Sequence, residues 1–190
     1  MHGAADSSAT ERHVALLRGV NVGGKNKLPM ADLARLFVQA GCSAVRTYIQ
    51  SGNVVFTAKP AVAADLPATI EAAIAKRFGL RVPVVLRSAA ELDRIVTSNP
   101  LLAEGFAEES LHVAFLKDRP SAASGKRLDP QRSPEDRFVL RGSDLFLALP
   151  GGVPGSKLTT AYLDATLGTT CTARNWRTVR KLAAMASGAE

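Results

Sequence analysis

Two glycine-rich stretches of this chain carry the residue types that hold anions. In the first, Arg18-Gly19-Val20-Asn21-Val22-Gly23-Gly24-Lys25-Asn26-Lys27, a Gly is followed by four residues and then Gly-Lys, the spacing of a phosphate-binding loop. Such a loop continues with a Ser or Thr whose hydroxyl holds magnesium, and Asn26 stands in that place. Pro29 also starts the next helix several residues after the lysine, and no apolar run ending in Asp supplies a second metal carboxylate, which argues against a nucleotide triphosphatase. Two readings remain. In one, Gly23 and Gly24 bring backbone donors close to an anion while Lys25 and Lys27 supply charge. In the other, the glycines only satisfy φ angles and the lysines are solvated.

Three further segments are polar enough to join such a site. Gln50-Ser51-Gly52-Asn53 reads as a hairpin turn whose side chains also suit a ligand. The second glycine-rich stretch, Pro150 to Lys157, ends in Ser156-Lys157 at a helix start, where Ser156 either caps the helix or contacts the ligand. Arg174-Asn175-Trp176-Arg177-Thr178 places the chain's single Trp among two arginines and an Asn at the entry to the last helix. A buried Trp with a capping Asn explains it, and so does anion or base recognition. His2, His13 and His112 have no ligand spacing, so no metal is expected. No Ser or Cys sits in a nucleophile elbow.

These loops need a scaffold. The chain has 190 residues, 46% hydrophobic and 22% charged, which suits a globular protein of one domain or two small ones. No window approaches 18 consecutive apolar residues and the N-terminus lacks a signal-peptide core, so no membrane association is expected and the cytoplasm is the expected location. The two cysteines, Cys42 and Cys171, form no metal or redox pair and are expected to be reduced and packed. The formal charge of +7 favours an anionic partner. It is uneven, with six bases against one acid in residues 18–59 and seven against three in residues 137–190.

After a tail over residues 1–12, order is expected to begin near His13. Val14 to Leu17 reads as a strand, Pro29 opens a helix with Leu33, Leu36, Phe37 and Ala40 on one face, and two β-rich runs flank Ser51-Gly52. A helix over residues 62–78 and the strand VPVVLR follow, giving the β-α-β-β-α-β order of a ferredoxin-like lobe over residues 13–87. Residues 88–110 read as a linking helix and loop broken at Asn99-Pro100. The pattern then restarts over residues 111–190: strand LHVAFL, a short helix from Ser121 to Leu128, a hairpin around Gly142-Ser143, a helix ending at Gly168, and a short strand running into an extra C-terminal helix. A weak echo relates the two glycine-rich loops, because Lys27 to Leu33 and Lys157 to Leu163 share one spacing, and it suggests that both loops occupy equivalent places.

The segments VALLRGVNVGGKNKLPMADL, VRTYIQSGNVVF, SKLTTAYLDATLG and TARNWRTV resemble the bacterial family known as domain of unknown function 1697, from about His13 to Leu182. The sequence departs from that resemblance at Ala165-Thr166, where an acidic residue is expected, so no carboxylate role is assigned there. The resemblance implies an α+β fold with ferredoxin-like lobes and a cytosolic location, and it implies no established activity. The preferred reading is one site for a phosphate-bearing ligand, a nucleotide or a nucleic acid, with no cofactor; the expected partner is thus an anionic small molecule or a nucleic acid. Its residues are Arg18, Asn21, Gly23, Gly24, Lys25, Lys27, Gln50, Ser51, Asn53, Ser156, Lys157, Arg174, Asn175, Trp176 and Thr178. The alternatives are a metal-independent small-molecule transferase or hydrolase, and a structural or protein-interaction module.

Overall fold

The computed structural model describes residues 9–189, so most of the expected tail lies outside the described residues. The chain is α+β and forms two four-stranded antiparallel sheets. It divides into two compact units, one of residues through Leu92 together with those from Leu182 onward, the other Asp93–Lys181.

In the first unit the elements run β1 (Glu11–Leu17), α1 (Met30–Gln39), β2 (Ser43–Tyr48), β3 (Asn53–Ala58), α2 (Pro60–Phe78) and β4 (Val84–Ser88), with strand order β2-β3-β1-β4. Strand β1 starts at Glu11, two residues before the expected His13. It pairs antiparallel with both β3 and β4. Alternation along β1 sends Ala15 and Leu17 to the face that carries the two helices, where they join Phe56, Leu33, Phe37, Ile70 and Ile74 in one core. Helix α1 buries Met30, Leu33, Leu36 and Phe37, an amphipathic spacing, and stops at Ala40 before Gly41, whose φ is +91°. Helix α2 begins at Pro60 instead of residue 62, because proline is pre-organised for the first helical position. Lys76 and Arg77 meet its negative end, and Gly79 closes it in the left-handed conformation.

Helix α3 (Ala89–Thr97) opens with a reciprocal cap in which Ser88 N–H donates to Glu91 at 2.8 Å and Glu91 N–H donates to Ser88 Oγ at 3.2 Å. Asn99 then caps the single turn α4 (Pro100–Ala103), so the Asn-Pro break is a helix start. The second unit continues with β5 (Leu111–Leu116), α5 (Ala122–Gly125), β6 (Arg137–Arg141), β7 (Asp144–Ala148), α6 (Gly152–Gly155), α7 (Thr160–Leu167), β8 (Cys171–Asn175) and α8 (Trp176–Ser187), in strand order β6-β7-β5-β8. Its core joins Ala114, Leu116, Leu145 and Leu147 of the sheet to Leu163 and Leu167 of α7. The helix expected from Ser121 to Leu128 shrinks to one turn, since this polar segment has only Leu128 to bury. The sequence echo does not place its loops equivalently. The first loop follows the first strand of its sheet, the second follows the third, and those strands run antiparallel to each other in each sheet.

Cys42 and Cys171 are buried and form no disulfide, and burial pushes the Cys42 thiol up to about 11. The nucleophile is the thiolate, so little of it exists at neutral pH. Thiol reagents are therefore expected to label both residues far more slowly in native protein than in urea, and rapid native labelling of both would contradict this packing.

Candidate functional site

The end of the first sheet is built by the loop after β1 and by the β2–β3 turn. Leu17 N–H donates to Gly52 O at 2.8 Å and Arg18 N–H donates to Pro83 O at 3.0 Å, which fixes where the loop leaves the sheet. Asn21 laces the two segments together. Its Nδ2 donates to Gln50 O at 2.8 Å and Leu28 O at 2.9 Å, while its Oδ1 accepts from Leu28 N at 2.8 Å. Asn26 Nδ2 closes the loop onto Gly19 O at 2.9 Å, and Asn21 N–H donates to Asn26 O at 3.1 Å. Both asparagines sit at positive φ, +54° and +49°, which their short polar side chains tolerate.

The loop tip is a small hairpin. Val22 bridges Lys25, and Gly23 and Gly24 between them have φ of +57° and +74°, as in the tight turns that connect strands. Residues 22–27 are exposed. The glycines thus serve the turn, and their amides, which have no protein acceptor among the described residues, face solvent. Asp32, the single acid of residues 18–59, is taken by Arg35 and Arg77 at 2.9 Å each. Lys25 and Lys27 have no carboxylate partner among the described residues. In the turn, Asn53 is fully buried and its Nδ2 donates to Tyr48 O and Ser51 Oγ, so it holds the turn and does not face a ligand. Ile49 adopts φ +48° and is 51% exposed, a strained conformation for a β-branched residue.

The expected residues of the second unit do different work. Ser156 Oγ donates to Asp136 Oδ2 at 2.5 Å and accepts from Leu158 N at 3.0 Å, while Thr159 caps α7; the expected helix cap at Ser156 is corrected, because the helix starts later. Lys157 borders a hollow of about 320 Å³ together with Ser133, Glu135 and Asp136, so carboxylates face it. Arg174 is half-buried, with Nη1 donating to Thr172 Oγ1 and Ala173 O at 2.8 and 2.9 Å, and burial pushes its guanidinium down to about 10, which leaves it charged at neutral pH. Asn175 Oδ1 accepts from Thr178 N at 2.9 Å, the capping role. Trp176 is 1% exposed and Thr178 is 7% exposed. That burial corrects the expectation of Trp176 as a ligand-binding residue and fits the buried-Trp reading, since its ring offers no face to solvent.

The candidate residues therefore fall into two groups, one on each unit. Residues from Arg18 to Lys27 and from Gln50 to Asn53 share one end of the first sheet. Ser156-Lys157 follow β7, and Arg174 to Thr178 span the end of β8 and the start of α8, with β5 between the two strands in the second sheet. Sequence reasoning missed Arg87, buried on β4 at the position that Arg174 holds on β8. The signal was available: VVLRS and CTARN both end in Arg plus a helix-capping residue. It also missed Asp136, which only the fold brings to Ser156. Among the described residues no His, Cys, Asp or Glu cluster has a metal-holding arrangement. None of the described helices is long and apolar enough to cross a membrane.

The conserved bacterial protein SP0830 from Streptococcus pneumoniae shares this fold, with a TM-score of 0.68, 22% sequence identity and coverage of 94% of this chain and 99% of that one. No curated protein matches the chain. The family described as "Protein of unknown function (DUF1697)" matches residues 10–146, which takes in the first loop, the β2–β3 turn, β5, β6 and the start of β7, and the chain belongs to that family.

Proposed function

We propose that the first unit binds a phosphate-bearing ligand at the end of its sheet, between the loop of residues 18–28 and the turn of residues 49–52. The carrying observation is the uncompensated charge of Lys25 and Lys27 on a loop that Asn21 fixes to the turn, while the single acid of residues 18–59 is held by two arginines. In this reading Gly23 and Gly24 present amides, the two lysines and Arg18 supply charge, and Gln50 and Ser51 border the ligand. A nucleotide suits the site better than single-stranded RNA spread on a sheet. Of the two aromatics on the hairpin, Phe56 is fully buried against the helices and Tyr48 is half-buried, so no stacking platform is available. The order β-α-β-β-α-β with two central antiparallel strands supports a ferredoxin-like reading of each unit.

A second reading, a protein-interaction module, is favoured by Val22 and Ile49, which expose 63% and 51% of their surface at this same end. Titration with ATP and with a short oligonucleotide separates the two. Lys25→Ala and Lys27→Ala are each expected to weaken ATP binding several-fold without changing thermal stability, and the double variant to depart from the sum of the single losses. The ATP salt slope should be shallower than that of a polyanion. Undiminished binding in both variants, or no binding by the wild type, would remove the proposal.

A further inference from the structure

The opposite end of the first sheet carries a second group of cations that the loop site does not use. Arg12 of β1 and Arg46 of the edge strand β2 line one cleft of about 150 Å³, with Thr57 of the intervening strand β3 between them. The register explains the convergence. Arg12 pairs with Thr57 and Arg46 with Val55, two residues apart on β3, so the two arginines flank β3 on the same face of the sheet. A bulge between Ser43 and Arg46, with Ala44 in the left-handed region at φ +49°, re-aims β2 at this point. The C-terminal end of α8 closes the cleft through Met185 and Gly188.

The Arg12 guanidinium is held in place, that of Arg46 is exposed, and neither has a carboxylate among the described residues. Arg12 Nη1 donates to Ala186 O at 3.3 Å, one of the last carbonyls of α8. A Cβ on Gly188 would fall 2.1 Å from the same nitrogen, so the glycine gives the guanidinium its room. Among the described residues no carboxylate pairs with Arg12 or Arg46. Two like charges that share a cleft without a counter-charge raise each other's energy, and an oxyanion relieves it through bidentate hydrogen bonds from each fork.

We infer that this cleft is a second anion site of the first unit, specific for a phosphate-sized oxyanion held by Arg12 and Arg46 with the Thr57 hydroxyl. Its volume corresponds to about five waters and is below that of pockets which enclose a whole small molecule, roughly 300 Å³ and upward. It therefore takes a phosphate group and not the body of a nucleotide. The inference is independent of the loop site, because the two lie at opposite ends of β1.

The test is thermal stability against inorganic phosphate, acetate and chloride at matched ionic strength, measured on the Lys25→Ala/Lys27→Ala protein so that the loop cannot contribute. Phosphate is expected to raise Tm beyond chloride and beyond acetate. Arg46→Gln, at an exposed position with no structural bond in the fold, should weaken phosphate by about tenfold or more while leaving the phosphate-free Tm unchanged. Gly188→Ala should weaken it through displacement of Arg12. Equal shifts in phosphate and chloride, a larger shift in acetate, or full retention of the phosphate response in Arg46→Gln would overturn the inference.

Discussion

Trp176→Ala is expected to destabilise the protein by roughly 3 to 5 kcal/mol, the cost of emptying a buried aromatic site. The ring is 1% exposed, so the loss should appear in equilibrium unfolding followed by circular dichroism. Its indole N–H has no acceptor among the described residues, which gives the prediction a second arm. Trp176→Phe keeps an aromatic ring and removes a buried unsatisfied donor, so it should cost far less than the alanine change. A loss below about 1 kcal/mol for Trp176→Ala would place the ring outside the core and restore its candidacy as a ligand contact.

Gly52→Ala is the other large effect. Gly52 has φ +73°, and a Cβ there would lie 2.5 Å from Val20 Cγ2 and 2.7 Å from Leu17 Cβ. The left-handed backbone alone costs an L-residue roughly 1 to 2 kcal/mol, and overpacking adds roughly 1 to 3 kcal/mol. Gly23→Ala is the control, because φ is +57° but nothing lies within 4 Å of its Cβ, so only the backbone cost applies. Urea unfolding should rank Gly52→Ala well below Gly23→Ala in stability. Equal losses would mean that the turn does not pack on Val20, and the first loop would lose its seat on the sheet.

The parts of this molecule that were legible in the sequence are those set by local chemistry. Gly41, Gly79 and Gly168 stop helices where a left-handed residue is needed, and the apolar spacing of Leu33, Leu36 and Phe37 marks a buried face. Asn175 as a cap follows from its place before an amphipathic run. The parts that were not legible depend on which segments meet. Nothing local tells that Asn21 will bond Gln50, twenty-nine residues away, or that the Ser156 hydroxyl will be taken by Asp136. The Trp-Arg-Asn cluster reads as a binding motif until burial is known, because an amphipathic aromatic serves a core and a pocket equally well. The cleft of Arg12 and Arg46 escaped for the same reason, since strand register and a bulge bring together two arginines that are far apart in sequence.

In the proposed function the exposed tip of the first loop holds phosphate. The most direct measurement is a ¹⁵N–¹H titration with pyrophosphate, made on Arg46→Gln protein so that the second cleft is silent. Saturable shifts are expected for the Gly23, Gly24 and Lys25 amides and for residues in the turn from Ile49 to Gly52, abolished by Lys25→Ala/Lys27→Ala. Unmoved Gly23 and Gly24 amides at saturating pyrophosphate, or shifts that survive the loss of both lysines, would contradict it.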